Sequence, residues 1–393
     1  VPQDPPPIDL LDAAFYVNDP RPAYAWMRRH APVYNDAANS LWGLATYDVV
    51  RTAERDAKVF SSAGGSRPDT GPLPWMMDLD PPAHTKRRKL VSHAFTPARV
   101  RASAPRIRAI CDELIDAVCE QGECDFRHDL AAPLPLIVIC DMLGIPADDR
   151  ADVLRWSDDM LGSLNGGADS LQAAASSFGQ YLEYAHALLA ARRADPADDL
   201  VSVLVHAEVD GDRLTDDELV FDVLLLLLGG DETTRNVTCG GMEQLLAHPE
   251  QLARLVDKPA LLPVAVEEML RWVSPIKNMS RTVAVDVDLG GQRLTTGDVV
   301  LLLYESANFD ESHFADAERF DVGRSPNEHV AFGFGAHFCL GAILARVELH
   351  AMFERLLARM PDLELAGDGP PPRLLTGISD MPVRFSPSAR VGS

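Results

Sequence analysis

A mainly α-helical fold with a minor β region is the class this sequence predicts, and three observations predict it. From Thr96 to about Val256, apolar residues recur at helical spacing with few interruptions. One segment in that stretch, 215–247, reads as a helix of about 30 residues, far beyond the ~11–12 of an average globular helix. Strand-like alternation is confined to short stretches before Leu44 and after Pro275. With neither an internal repeat nor a flexible linker, the 393 residues are expected to form one domain, 1–393, around the long central helix.

In chain order, Pro20 to Arg29 (PRPAYAWMRR) reads as an amphipathic helix. Pro32 to Leu44 gives strand pieces with a turn at Asn35 to Ala38, and YDVVRTAERDAKVF (47–60) a second helix. Ser61 to Pro82 is Gly/Pro/Ser-rich, yet carries an apolar patch, Leu73 to Leu79. A loop so long and so apolar implies that it lines something. Helices are then predicted over 97–120, 133–143, 147–161, 169–193, 197–208, 215–247 and 259–273. Thr215 with Glu218 forms a capping-box signature, and the run Leu224 to Leu228 predicts burial of the long helix on most sides. Thr282 to Leu289 and Arg293 to Leu303 alternate as strands around a Gly-Gly turn. An irregular stretch, 306–335, precedes a helix from Cys339 to Arg359 and a terminal hairpin within 373–385.

The balance of 36 Lys and Arg against 59 Asp and Glu, a formal charge of -23, excludes a general nucleic-acid binder. The opening VPQDPPPIDLLDAAF has no basic n-region and no sustained apolar run. The run Val223 to Leu228 is also far short of the roughly 20 residues that span a bilayer. A cytoplasmic monomer without a membrane anchor is expected. The six cysteines, 111, 119, 124, 140, 239 and 339, include no CxxC pair, which disfavours structural zinc at the first three.

The string Phe332 to Gly341, FGFGAHFCLG, sets three glycines around one cysteine just before a predicted helix. Glycine permits tight turns. N–H groups at a helix start, and the helix dipole, would favour Cys339 as an anion. On those grounds alone, a buried cysteine in a Gly-rich turn fits as well. The full pattern FGxGxHxCxG, however, resembles the haem-binding signature of the cytochrome P450 family at every fixed position, and GAILARVE resembles the helix that follows it. The resemblance covers nearly the whole chain. It implies a single-domain P450 fold, haem b, Cys339 as proximal ligand to the iron, His337 at a haem propionate and Phe332 near the sulfur. A thiolate ligand pushes electron density toward the metal and promotes O–O cleavage.

Further segments carry the same resemblance. GGDETTRN (229–236) lies within the long helix, where each Gly costs about 1 kcal/mol and therefore asks for a reason. Thr233 and Thr234 can bond back to the preceding turn. The segment is similar to the family's acid–alcohol motif. That likeness implies Glu232 as the acid, Thr233 as the key alcohol and Thr234 as support, with Asp231 one position out of register. Glu268 and Arg271 share one helix face at i,i+3, where a surface ion pair would be the ordinary reading. As the family's EXXR pair they are implied to lock the core, with Arg324 as a third member. His84 and Arg88, one helical turn apart in DPPAHTKRRKLV, and Arg281 in SRTVAVD are implied to grip the haem propionates, while Arg87 is out of register. One departure stands out: Asn308-Phe309-Asp310 replaces the family's Asn-Arg-Asp, which puts local contacts there in doubt.

By family position the substrate is implied to meet Leu73, Trp75, Met76 and Met77 in the long loop, Leu226, Gly229 and Gly230 in the long helix, and Ile276, Asn278 and Met279. Mostly apolar, this set suits a lipid or terpene; ordinary packing is the plain alternative for each side chain. FSSAGGSRPDTGPLPWMMDLDPPAHTKRRKLV is most similar to mycobacterial-type cholesterol and cholest-4-en-3-one hydroxylases. The implied reaction is hydroxylation of the terminal side-chain methyl of the sterol (carbon 26 or 27), which can continue to the aldehyde and acid. Dioxygen is then the co-substrate. The chain has no flavin or nucleotide fingerprint, so electrons are expected from NAD(P)H through a ferredoxin reductase and a ferredoxin. A terpenoid, fatty-acid or macrolide hydroxylase is the alternative enzyme, and a haem sensor or carrier the alternative outside catalysis.

Overall fold

The computed structural model describes residues 6–68, 70–92, 95–165, 167–208, 211–367, 371–374 and 377–391. The first five residues, read above for a leader, and the tip of the expected terminal hairpin at 375–376 lie outside them. The elements used below are, in chain order, β1 (Val33–Asp36), β2 (Leu41–Leu44), α1 (Tyr47–Arg55), β3 (Phe60–Ser61), α2 (Ala83–Ser92), α3 (Pro97–Val118), α4 (Pro133–Leu143), α5 (Asp216–Ala247), α6 (Leu262–Val273), β4 (Asn278–Val283), β5 (Val299–Leu303) and α7 (Ala342–Arg359). Helix dominates, as the periodicity predicts. The chain forms two compact units.

The first unit combines Val1–Lys89, Ile276–Arg319 and Pro326–Leu340. Its five-stranded sheet has the order β1-β2-β5-β4-β3. β2 and β5 run parallel, with Leu41 opposite Val299, and every other pair is antiparallel. Successive strand side chains point to opposite faces, and β5 uses both. Val300 and Leu302 enter a core with Tyr47, Val50, Phe60 and Tyr304, whereas Leu301 and Leu303 enter another with Leu10, Tyr24 and Met27.

The second unit, Leu90–Pro275, Phe320–Ser325 and Gly341–Ser393, is a helical assembly in which α5 packs against α4, α6 and α7. Thr215 caps α5: its hydroxyl accepts from the Glu218 N–H at 3.3 Å, and the Glu218 carboxylate accepts from the Thr215 N–H at 2.9 Å. Such a cap contributes about 1 kcal/mol. Close approach of α6 is made possible by Gly240 and Gly241. A Cβ at Gly240 would stand 2.7 Å from a Val273 methyl, and one at Gly241 2.9 Å from the Met269 sulfur.

Several boundaries differ from the sequence reading. The helix expected over 47–60 stops at Arg55, because the Asp56 carboxylate bonds the N–H groups of Lys58 and Val59 and Phe60 joins the sheet. The alternating runs 282–289 and 293–303 resolve into β4, a small hairpin turning at Gly290 and Gly291 with positive φ, and β5. A five-residue helix, Tyr304–Asn308, enters the stretch read as irregular from 306. The last helix opens at Ala342 rather than Cys339, leaving the cysteine in the turn that precedes it. Within 373–385 a minimal ladder joins Arg373–Leu374 to Gly377–Ile378, but Pro382–Arg384 pairs instead with Glu123–Asp125 and Glu364–Leu365. Phe126–Ala131 forms a π-helical turn that no periodicity announced.

Candidate active site

The cysteine loop of the first unit is held from below by α1. The Phe334 ring lies under the guanidinium of Arg51 at 4.1 Å and that of Arg55 at 5.4 Å. Gly335 adopts φ +72, where L side chains are strained. A Cβ at Gly335 would also collide with the Glu54 carbonyl oxygen. The Cys339 N–H donates to the Phe332 carbonyl at 2.9 Å, closing the loop on itself. Cys339 is partly exposed and carries no disulfide.

Around this loop the first unit gathers the basic residues singled out in the sequence. The His84 and His337 rings lie 4.0 Å apart, tilted by 37°. His337 Nε2 is 3.1 Å from the Ser62 hydroxyl, while the buried Nδ1 of His84 has no hydrogen-bond partner. Arg88 donates to the Phe338 carbonyl. Arg281, 5% exposed, donates to the Ser280 carbonyl at 2.7 Å. Burial, reinforced by Arg88 and Arg281 and opposed by Asp80, lowers His84 to about 4. Burial, with His84, Arg281 and Arg88 adding to it, lowers His337 to about 3. Burial also lowers Arg88, against an opposing influence from Cys339, which places that sulfur within its electrostatic reach. Two neutral imidazoles, two guanidinium groups and a thiol, with an orphaned ring nitrogen among them, fit an anionic cofactor that takes a sulfur ligand and presents carboxylates. Haem fits that donor set.

The long loop before α2 is organised by a residue the sequence reading did not single out. Asp78 is buried, and its carboxylate accepts from the N–H groups of Ser66 and Leu73, both at 2.8 Å. A lone Asp in a Gly/Pro/Ser-rich stretch is the signal that could have found it. Arg87, out of register for a cofactor contact, is buried and donates to the Pro74 carbonyl at 2.7 Å. Met76 is buried, Leu73, Trp75 and Met77 are half-buried, and the Trp75 indole nitrogen has no partner. Asn278 spends its amide on Tyr16, at 2.8 Å, and Arg67, at 3.4 Å, while Ile276 and Met279 pack against the unit's own core. The departure at Phe309 is absorbed locally. Arg21 lies over the Phe309 ring, Asn308 accepts from the Val330 N–H, and Asp310 accepts from the Tyr47 N–H.

In the second unit α5 carries the acid–alcohol segment. The Thr233 hydroxyl donates to the Gly229 carbonyl at 2.8 Å, the backward bond its position predicts. Thr234 is buried, and its carbonyl accepts from the Thr238 hydroxyl. Gly229 faces open space where a side chain would stand, whereas Gly230 is crowded by Ile139 of α4 at 3.0 Å. Leu226 is buried and Glu232 half-buried. Asp231 is fully buried, accepts from Ser157 at 3.1 Å and is raised by burial, which Arg235 opposes. Its Oδ1 has no partner.

The same unit holds the triad read from EMLR. Arg271 forms a two-pronged bond to Glu268, 2.7 and 2.9 Å, and Arg324 adds a third at 3.0 Å. The Asp321 N–H also donates to the Glu268 carboxylate, at 3.0 Å. The side chains of Glu268 and Arg271 are wholly buried, that of Arg324 9% exposed. Among the described residues, no helix is long and apolar enough to cross a membrane.

Comparison with known proteins bears on all of these segments. A family model described as Cytochrome P450 matches residues 152–384. A Steroid C26-monooxygenase of Mycobacterium tuberculosis is 52% identical, covering 98% of this chain and 99% of its own length. A Methyl-branched lipid omega-hydroxylase of Mycobacterium bovis is 39% identical, over 93% of this chain and 90% of that protein. Among solved structures, cytochrome P450 CYP109Q5 from Chondromyces apiculatus superposes with a TM-score of 0.86 at 37% identity, covering 97% of this chain and 99% of that one.

Proposed function

Because the chain belongs to the cytochrome P450 family, we propose that it is a haem-thiolate monooxygenase hydroxylating the terminal side-chain methyl of a sterol such as cholest-4-en-3-one. The observation that supports this reading best is the 52% identity to a steroid C26-monooxygenase across 98% of the chain. The half-buried apolar loop at residues 73–77, pinned by Asp78, accords with an apolar ligand. Aliphatic surface placed there gains about 25 cal/mol per Å².

In this reading Cys339 would supply the sulfur ligand to the haem iron, and His84, Arg88, Arg281 and His337 would hold the haem carboxylates. Bound haem supplies the reductive activation of dioxygen and the insertion of one oxygen atom into a C–H bond. The protein's own residues handle protons. Thr233 Oγ, tethered to the Gly229 carbonyl in the structure, can exchange that bond for one to water, and Glu232 resupplies its proton. Electrons arrive from NAD(P)H through a separate ferredoxin and its reductase.

Adding cholest-4-en-3-one to the haem-loaded protein should produce a saturable low-spin to high-spin shift in the Soret spectrum, followed under turnover by terminally oxidised product. A sterol that produces no shift and does not compete with an azole haem ligand would sink the substrate assignment. If a methyl-branched fatty acid gave the shift instead, the reading would pass to the chemistry of the 39% identical relative. For Thr233→Ala the expected outcome is an unchanged substrate shift, with reductant diverted to hydrogen peroxide. Product per NAD(P)H should fall roughly a hundredfold, the lower end of what one positioned proton-handling group contributes. Tight coupling retained in this variant would remove Thr233 from the proton route.

A further inference from the structure

Glu54 is an acidic side chain turned into the first unit from α1. It is 6% exposed, and nothing in the reading above gives it a task. Its Oε1 accepts from the Tyr304 hydroxyl at 2.6 Å, while Oε2 is buried without a hydrogen-bond partner. The carboxylate lies under the cysteine loop. The Phe334 N–H is near enough to act on it electrostatically, and a Cβ on Gly333 would stand 3.1 Å from Oε1. The charged groups facing it are Arg281 from β4 and Arg51 from its own helix; Tyr304, just beyond β5, is the other titratable neighbour. Burial raises Glu54 to about 7, against the lowering influence of Tyr304, Arg281, the Phe334 N–H and Arg51. A carboxylate kept only to tie down a loop would have both oxygens satisfied and would stay ionised. This one has an empty acceptor, and it shares Arg281 electrostatically with the cofactor carboxylates assigned above.

We propose that Glu54 is a positioning residue beneath the cysteine loop that takes up a proton when the bound haem is reduced, and so makes the iron's reduction potential depend on pH. The inference rests on the haem-thiolate reading. Reduction brings one electron, from the ferredoxin-class donor, and adds one negative charge to a poorly solvated region. A carboxylate in that field binds its proton more tightly, and the proton comes from solvent. By linkage, ionised Glu54 favours the ferric state and protonated Glu54 the ferrous state. The potential should therefore fall as pH rises through the neutral range.

The test is a spectroelectrochemical titration of the holoenzyme at a series of pH values, on wild type, Glu54→Gln and Tyr304→Phe. Wild type should show a potential that declines with pH and bends near neutrality. Glu54→Gln keeps the acceptor for Tyr304 without the charge, and should hold a higher potential with that bend absent. Tyr304→Phe removes a donor that favours ionised Glu54 and should move the bend to higher pH, a displacement no purely structural role would produce. The same bend in Glu54→Gln as in wild type overturns the proposal. If Glu54→Gln fails to retain haem, an unmoved bend in Tyr304→Phe overturns it instead. A wild-type protein without a thiolate-type carbonyl spectrum would fail at the earlier step, since the haem-thiolate reading itself would be lost.

Discussion

Cys339→Ser is expected to eliminate the thiolate-type spectrum of the ferrous carbonyl complex and to lower sterol hydroxylation by at least about a hundredfold, or roughly 3 kcal/mol in barrier. A serine hydroxyl stays protonated where a cysteine can ionise, and it cannot supply the electron density that promotes O–O cleavage. The loop should survive the change. Its shape depends on the Cys339 N–H bonded to Phe332, the positive φ at Gly333 and Gly335, and Phe334 held under Arg51 and Arg55, none of which uses the sulfur. Cys339→His gives a companion outcome: haem retained on a nitrogen ligand, a changed carbonyl spectrum and no hydroxylation. Wild-type product yield from Cys339→Ser protein would remove Cys339 from the iron.

Arg271→Ala should be the most damaging single change to stability, costing about 3–5 kcal/mol against the ~5–15 kcal/mol that holds a typical domain together. It removes the two-pronged partner of the wholly buried Glu268, to which Arg324 and the Asp321 N–H also bond. The cost is that of a desolvated carboxylate stripped of its two-pronged partner, which exceeds what the intact pair contributes over a well-packed apolar substitute. Arg324→Ala should cost less, because that side chain is the triad's more exposed member and the Arg271–Glu268 pair remains. Urea denaturation of both variants, read by circular dichroism and haem absorbance, checks the order. Equal midpoints for Arg271→Ala and wild type would show that the buried triad holds nothing together.

The sequence was most readable where chemistry demands a rare local pattern. The capping box at Thr215, the triad of Glu268, Arg271 and Arg324, and the basic cluster of His84, Arg88, Arg281 and His337 each occupy motif positions, and each is assembled inside its own unit. Residues whose burial is set by distant strands were opaque. Glu54 lies in TAERDAK, within the predicted helix 47–60, and what covers its carboxylate is Tyr304 and the cysteine loop at Gly333, 250 or more positions away. Arg87 is adjacent to a motif residue, and its service to Pro74 follows from a loop geometry that residue spacing does not encode. Asn278 looked available to substrate because its partners, Tyr16 and Arg67, are more than 200 positions away. The helix boundaries at Arg55 and Ala342 were blurred because Asp56 stops a helix through its carboxylate and Gly341 opens one through backbone geometry, to which hydrophobic period is blind.

The parallel pairing of β2 with β5 has a consequence for how the chain is made. Leu44 leaves the ribosome roughly 250 residues before its partner in the ladder, Leu302. At a synthesis rate of about 5–20 residues per second, the β2 edge waits on the order of 10–50 s for the strand that completes it. During that wait the nascent chain exposes unpaired N–H and C=O groups beside Leu41 and Leu44, the kind of edge that pairs with the wrong neighbour. The helices of the second unit emerge in the meantime and can form from local contacts. Cys339 is made later still, so no thiolate can capture haem until the sheet has its last strand. Growth temperature, chaperone supply and haem availability should thus govern the yield of intact enzyme through the tail of translation.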